Sequence, residues 1–244
     1  LLSFAGMTIG MLLGMFLLLA GVMTAASLGI AVWNQSWMPV LAISLPSLAI
    51  MAVQVYINPG TLLARNTVAL VLMTLVATMI HQTDGLVEMH FGVFVVLALL
   101  LYYRDWIPVM VAATAISLHH FAFWWMQSRG LPVMAFAAGS GLDMVLLHAT
   151  YVVLETLFVC RMAMMLRRQA DSLGADPEQL ARLMHDIAAG NDTGYCEQWQ
   201  FGQGNLASGL LLMRADLHER RTRESQLHNF NAQIRTSLDV SRTG

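Results

Sequence analysis

Charged side chains are scarce in this sequence. They make up 11% of its 244 residues, against about 25% in a typical soluble domain. The scarcity is uneven, because residues 1–160 contain eight charged side chains and residues 161–244 contain the other twenty. Lysine is absent, so all 13 basic residues are arginine. This composition excludes an ordinary soluble protein and predicts a membrane-embedded first part followed by a water-soluble last third.

Several functional signals are also missing. The two cysteines, Cys160 and Cys196, form neither a metal-binding spacing nor a disulfide framework. A net charge of −2 gives no reason to expect a nucleic-acid partner. The sequence has no nucleophile elbow, glycine-rich phosphate loop or HExxH motif, so we expect no enzymatic activity within it. It begins inside an apolar run that lacks the charged start of a signal peptide, so we expect it to be part of a longer protein.

Long apolar runs dominate the first two thirds of the chain. A membrane-spanning helix needs about 20 mostly apolar residues. Six segments qualify: 4–33, 38–57, 61–80, 88–103, 107–126 and 138–161. Turn-forming residues such as Asp84-Gly85 separate them, and we expect Arg104 and Asp105 to form a tight turn in which their charges pair with each other. The sequence therefore predicts an all-α, polytopic six-helix membrane bundle.

The arginines predict the orientation of this bundle, because positive charge favours the cytoplasmic side. Arg161, Arg167 and Arg168 cluster at the end of the last span, and Arg65 and Arg104 fall on the same side when the spans are counted back. Arg129 is the exception on the opposite side. Both termini are therefore predicted to be cytoplasmic.

Five of the eight histidines lie in the membrane half: His81, His90, His119, His120 and His148. Ionisable residues within a membrane are costly, and they tend to face the bundle interior and mark a site or a proton path. Counting along the predicted spans places these histidines at overlapping depths in the outer leaflet. Glu88 and Asp143 are predicted at similar depths, and Glu155 lies two helical turns further in than His148, on the same face.

Neutral imidazole is the commonest metal ligand in proteins. His90, His120 and His148 are therefore candidate ligands of copper, iron or zinc, with Glu88 as a fourth ligand or a supporting group. Alternatively, two of the histidines are axial ligands of haem b, or the set is a network of hydrogen bonds between helices without a ligand. The remaining candidates are listed by role: His119 and His81 as further ligands, and Glu155 and Asp143 as groups that support them. His119 and His120 point about 100° apart on a helix, so only one of them can face the site comfortably.

The last third predicts two amphipathic helices. The first carries apolar residues from Leu180 to Ile187, and the second carries Leu206, Leu210, Met213 and Leu217 at heptad spacing. With Asp176-Pro177-Glu178 before the first helix, this arrangement resembles a HAMP domain of bacterial chemoreceptors. It departs from the family where Gly202-Gln203-Gly204-Asn205 replaces the usual acidic pair. The resemblance implies a cytoplasmic HAMP-like helical coiled coil.

The membrane half carries a resemblance of its own, on four motifs: Glu88-Met89-His90-Phe91-Gly92, Tyr103-Arg104-Asp105-Trp106, His119-His120-Phe121, and His148 with Glu155. It is similar to a His-rich sensor region found ahead of chemoreceptor, histidine-kinase and diguanylate-cyclase outputs. That family often has a second histidine where this chain has Gly92.

Together these resemblances imply the sensory region of a bacterial methyl-accepting chemotaxis protein. The expected form is a homodimer in the lipid of the inner (cytoplasmic) membrane, which signals to downstream chemotaxis proteins. The expected divisions are residues 1–168 as the sensor, 169–224 as the HAMP-like domain and 225–244 as the start of a signalling helix or the lead-in to a PAS domain. The alternatives are the sensor region of a histidine kinase or diguanylate cyclase, and a small ion transporter.

Overall fold

The computed structural model describes residues 4–174, 177–190 and 204–243 of the chain. Every regular element within these ranges is helical, which confirms the all-α prediction. The chain divides into two compact units, residues 1–165 and 166–244.

The first unit is built from apolar helices that overlap the predicted segments, and the last of them, α7, extends past the predicted end at residue 161 and past residue 165. They are α1 (Phe4–Asn34), α2 (Trp37–Pro39), α3 (Leu45–Ile57), α4 (Leu62–Gln82), α5 (Val87–Leu100), α6 (Trp106–Ser128) and α7 (Leu142–Leu173). A five-residue π-helix, Val40–Ser44, joins α2 to α3, so that Trp37–Ile57 forms one continuous stretch. A 3₁₀ turn, Leu101–Tyr103, extends α5.

Within the described residues, five helices are long and apolar enough to cross a membrane. These five indicate a membrane protein. The fourth predicted span differs, because Val87–Tyr103 is a shorter apolar helix. It ends where Arg104 adopts a left-handed conformation with φ of 50° and the Asp105 side chain accepts a hydrogen bond from the amide of Ile107 to cap α6.

Helix α4 forms the centre of the first unit. Twelve of its 21 residues are buried, including Leu72 and Leu75, and its buried residues share one hydrophobic core with residues of α1, α3, α5 and α6. A helix that is apolar on nearly all sides is expected to be buried in this way. Helices α1, α3, α5 and α6 therefore pack around α4.

Polar contacts hold both ends of α4. Near its start, Arg65 donates to the carboxylate of Asp105 over 2.9 Å, so the predicted pairing of Asp105 with Arg104 is wrong. A carboxylate that caps α6 faces the neighbouring α4, whereas the left-handed Arg104 is exposed. At the other end, the Gln82 amide accepts from the Ser27 hydroxyl over 2.6 Å and donates to the backbone carbonyls of Ser27 and Ser36.

Helix α7 is far less buried than α4. Only five of its 32 residues are buried. It begins at Leu142 and not at the predicted residue 138, because Gly139 and Gly141 stand before it and glycine disfavours helix. Residues 131–141 are consequently non-helical, and we call them the strap.

The second unit contains α8 (Pro177–Ala189) and α9 (Leu206–Thr243), which contact each other. Leu180, Leu183 and Ile187 form the buried side of α8, as their spacing predicts. Asp176, Cys196 and most of the segment between the two helices, including Gly202 and Gln203, lie outside the described residues.

Candidate metal centre

Three histidines from three different helices meet in the first unit. His90 of α5, His120 of α6 and His148 of α7 form what we call the histidine triad. The ring centroid of His90 lies 5.3 Å from that of His120 and 5.2 Å from that of His148, and the latter two are 6.4 Å apart. His90 and His120 are buried, and His148 is half-buried. A cavity of about 250 Å³ adjoins all three rings.

The three rings are oriented by the same hydrogen bond. In each, Nδ1 lies 2.9 Å from the backbone carbonyl oxygen four residues earlier, which belongs to Leu86, Ile116 and Met144 respectively. A neutral imidazole that donates from Nδ1 keeps a lone pair on Nε2. A hydrogen bond from the ring nitrogen that does not bind the metal is the usual way in which a protein orients a metal-binding histidine. In this tautomer a ring can bind a metal through Nε2, provided that Nε2 does not face another group.

The Nε2 atom of His90 already faces another group. It lies 2.9 Å from the carbonyl oxygen of Ala135 in the strap. A neutral imidazole carries one N–H and can donate to only one of its two carbonyl neighbours. Among the described residues, no three His, Cys, Asp or Glu side chains stand in ligating geometry. His90 keeps the triad out of ligating geometry, because its Nε2 atom points at the Ala135 carbonyl. To bind a metal, Nε2 has to leave that carbonyl.

The strap lies against the triad and is fixed at several points. The Phe136 ring contacts all three triad rings, with centroid distances of 5.1–6.0 Å. Gln127 donates from Nε2 to the carbonyl oxygen of Phe136 over 2.8 Å. Gly85, at φ of +78°, lies so close that a Cβ there would meet the Phe136 carbonyl carbon at 2.6 Å. Only glycine fits this contact without moving the strap.

The other predicted site residues lie elsewhere. His119 and His81 are not in the triad, and both line a neighbouring cavity. Glu88 and Asp143 are exposed in the first turns of α5 and α7, where a carboxylate interacts favourably with the helix dipole. Glu155 is half-buried, and its Oε2 atom has no hydrogen-bond partner in the part of the chain that the structure describes. The question of which adjacent histidine faces the site is answered by geometry, since His120 joins the triad and His119 does not.

The residues of the strap were missed by sequence reasoning. Ala135 acts through its backbone carbonyl, which no side-chain pattern reveals. Gln127 and Phe136 are an amide and an aromatic residue, and neither type by itself predicts a contact with a histidine site. The sequence did contain one signal for the strap. Pro132, Gly139 and Gly141 disfavour helix, so together they predict a loop next to the helix that carries His148.

Comparison with known proteins adds no further constraint: no protein-family model, curated protein or solved structure matches this chain.

Proposed function

We propose that the chain is the sensory and signal-transducing region of a bacterial membrane receptor of the chemoreceptor kind. In this proposal the histidine triad binds a divalent transition-metal ion. The observation that carries the proposal is the convergence of His90, His120 and His148 from three helices, each with Nδ1 held by its own helix backbone.

The spacing of the triad suits one ion. Three imidazoles that bind Zn²⁺ tetrahedrally at about 2.0–2.1 Å place their ring centroids about 5 Å apart. The distances from His90 to the other two rings are 5.3 and 5.2 Å, and the distance of 6.4 Å between His120 and His148 has to shorten when the ion binds. Imidazole nitrogen suits zinc, copper, iron and nickel. When bound, such an ion supplies a cross-link between α5, α6 and α7.

The same geometry favours a directly bound ion over haem b. Coordination of haem by two of these rings puts the porphyrin plane between them. His90 is nearly equidistant from His120 and His148, at 5.3 and 5.2 Å, so its ring would stand in that plane. His90, His120 and His148 would therefore hold the ion through three imidazole nitrogens.

A signal would arise from competition for one atom of His90. In the described conformation Nε2 lies 2.9 Å from the Ala135 carbonyl, and in the metal-binding conformation it turns towards His120 and His148. That rotation frees the strap from His90 and ties His148 to the two other histidines. Since His148 lies on α7, which runs on to Leu173, the change is delivered to the last helix of the membrane region.

In the full proposal, six membrane segments include the short helix Val87–Tyr103, both termini are cytoplasmic, and the membrane is the bacterial inner membrane. Helices α8 and α9 act as a HAMP-like coiled coil in a homodimer. HAMP-like helices that repack between two arrangements would then carry the signal to downstream chemotaxis proteins.

Metal analysis of the purified full chain tests this proposal. The protein is prepared without chelators, loaded with Zn²⁺ or Cu²⁺, passed through a desalting column and analysed for metal and for a Soret band. We expect one ion per chain and no Soret band. His90→Ala, His120→Ala and His148→Ala should each weaken binding by more than roughly 100-fold, because loss of groups that merely orient a ligand already costs about 10–100-fold.

The matched control is His185→Ala, which changes an exposed histidine on α8 in the second unit. It should retain the ion. Stoichiometric metal in all three triad variants, or none in the folded parent protein, would contradict the metal proposal.

A further inference from the structure

A second cavity lies beside the triad, and the proposed metal site does not use it. It occupies about 480 Å³ between the segment Trp37–Ser44, α4, α6 and Val133 of the strap. Most of its walls are apolar, from residues such as Ile43, Met73 and Phe123. His81 and His119 also line it, and we call it the His81 cavity.

The tautomer of His81 follows from its contacts. The backbone amide of Met134 donates to Nδ1 of His81 over 3.0 Å. A nitrogen that accepts a hydrogen bond carries no proton, so the neutral ring carries its proton on Nε2. The Nε2–H group is therefore the donor that the His81 ring, which lines this mainly apolar cavity, has left to offer.

The tautomer of His119 follows in the same way. The Nδ1 atoms of His119 and His120 are 3.4 Å apart. His120 donates its Nδ1 proton to the carbonyl of Ile116 and so has no Nδ1 lone pair. A proton on Nδ1 of His119 would therefore face another N–H group without an acceptor. The neutral His119 ring then also carries its proton on Nε2. The histidine facing the triad and the histidine facing the cavity thus have opposite tautomers.

The threonines of the cavity supply no donors. The hydroxyl of Thr74 donates to the carbonyl of Leu70, and the hydroxyl of Thr78 donates to the carbonyl of Thr74, both over 2.8 Å. What remains are hydroxyl lone pairs and two imidazole N–H groups. A matching ligand is neutral and apolar, and it presents hydrogen-bond acceptors to His81 and His119.

The wall formed by Ala42 and Ile43 belongs to the π-helix Val40–Ser44. Short π segments are rare and are frequently found at functional sites. All the helices around this cavity belong to the apolar first unit, in which Trp37–Ile57, α4 and α6 are each long enough to cross a membrane. Met38 and Ile43, which line the cavity, are also exposed on the surface of this unit, so a ligand dissolved in the bilayer has a route to it.

We propose that the His81 cavity binds a lipid-soluble carbonyl compound of the quinone type, whose oxygen atoms accept hydrogen bonds from His81 and His119. The proposal is independent of metal binding by the triad. It adds a second ligand to the protein, placed one residue away from His120.

Binding of 2,3-dimethyl-1,4-naphthoquinone to the full chain in nanodiscs tests this. Its fully substituted ring does not alkylate thiols, and binding is measured by quenching of tryptophan fluorescence against empty nanodiscs. His119→Phe keeps an aromatic ring against Phe123 but removes the donor, so we expect affinity to fall roughly tenfold. The hydrocarbon 2,3-dimethylnaphthalene should bind more weakly than the quinone and be insensitive to this substitution.

A second variant fills the space directly. Ala42→Phe puts a ring into the cavity wall and should abolish saturable binding, whereas the matched control Ala52→Phe changes an exposed alanine of α3 outside the cavity and should have no effect. Equal quinone binding to the parent and to Ala42→Phe would overturn the proposal. If the hydrocarbon binds as tightly as the quinone, the cavity takes an acyl chain or similar apolar group and the quinone assignment is wrong.

Discussion

Helices α4 and α7 are both long and apolar enough to cross a membrane, but α4 is mostly buried and α7 is mostly exposed. Twelve of 21 residues of α4 are buried, against five of 32 in α7. Helices α5 and α6, which supply His90 and His120, pack against α4, whereas His148 comes from the sparsely packed α7. The triad therefore combines two histidines from helices that pack against α4 with a third from a sparsely packed helix.

In the proposed function, this difference lets a ligand of the triad act on α7. A site built wholly on α4, α5 and α6 would stabilise a core that is already well packed. A ligand that ties His148 to His90 and His120 acts instead on a helix with few competing contacts. Elements that move in signalling are drawn from such weakly packed regions.

The largest expected effect tests the packing contrast itself. Leu72 of α4 is fully buried and Leu154 of α7 is 59% exposed. Leu72→Ala should lower the free energy of unfolding by about 2–5 kcal/mol, because it removes buried methyl groups and leaves a cavity. Leu154→Ala should change it by less than about 0.5 kcal/mol. Denaturant unfolding in detergent measures both, and equal losses would mean that α7 is packed as firmly as α4.

Zinc should reduce the difference in amide hydrogen exchange between α4 and α7. At a free Zn²⁺ concentration of about 100 times Kd, binding adds about 2.7 kcal/mol to stability. We expect amide hydrogen exchange in α7 to slow on zinc addition while exchange at the centre of α4, already protected, changes less. His148→Ala should remove the α7 effect, and His185→Ala should preserve it. Slowing of α7 in the His148 variant would show that zinc acts elsewhere.

The polar end of α4 offers a smaller test. Gln82 joins α4 to Ser27, Ser36 and their neighbours, and Gln82→Met leaves these groups without their amide partner. We expect a loss of about 1–3 kcal/mol. The matched control is Gln54→Met, since the Nε2 atom of Gln54 is buried with no hydrogen-bond partner in the described residues. That variant should be neutral or slightly stabilising, and thermal unfolding compares the two.

The smallest effect concerns the opposite end of α4. Asp105→Asn keeps an oxygen to cap α6 but loses the ion pair with Arg65, whose side chain is 28% exposed. We expect a loss of about 1 kcal/mol, and a further loss of about 1 kcal/mol for Asp105→Ala, which also removes the cap. Unfolding midpoints at low and high salt separate the contribution of the ion pair, which salt screens, from that of the helix cap. Equal midpoints for the Asn and Ala variants would show that the cap contributes nothing.

The sequence predicts the helical segments well, because apolar runs and turn residues act locally. The convergence of His90, His120 and His148 was also accessible, since helix counting places them at similar depths. The partner of Asp105 was not, because Arg65 lies 40 residues away and only the packing of α6 on α4 brings it near. The strap was missed because its key contacts use the backbone of Ala135 and Phe136.

The sequence predicts only in part that His120 faces the triad and His119 faces the His81 cavity. Helical geometry requires adjacent residues to point about 100° apart, so one had to leave the site. Which one left depends on the position of α5 and α7 around α6, which the sequence of α6 does not contain. The π-helix was not predicted, because Val40–Ser44 has the composition of any apolar helix.

That π-helix has a consequence for how the chain tolerates insertions and deletions. A π turn is equivalent to one residue inserted into an α-helix, so deleting one residue from Val40–Ser44 would restore a regular α-helix through Trp37–Ile57. The residues before the deletion would then rotate by about 100° relative to α3. Met38 and Pro39 would leave the wall of the His81 cavity while α3 kept its packing. Loss of this one residue would thus change the shape of a binding site without altering any side chain that remains.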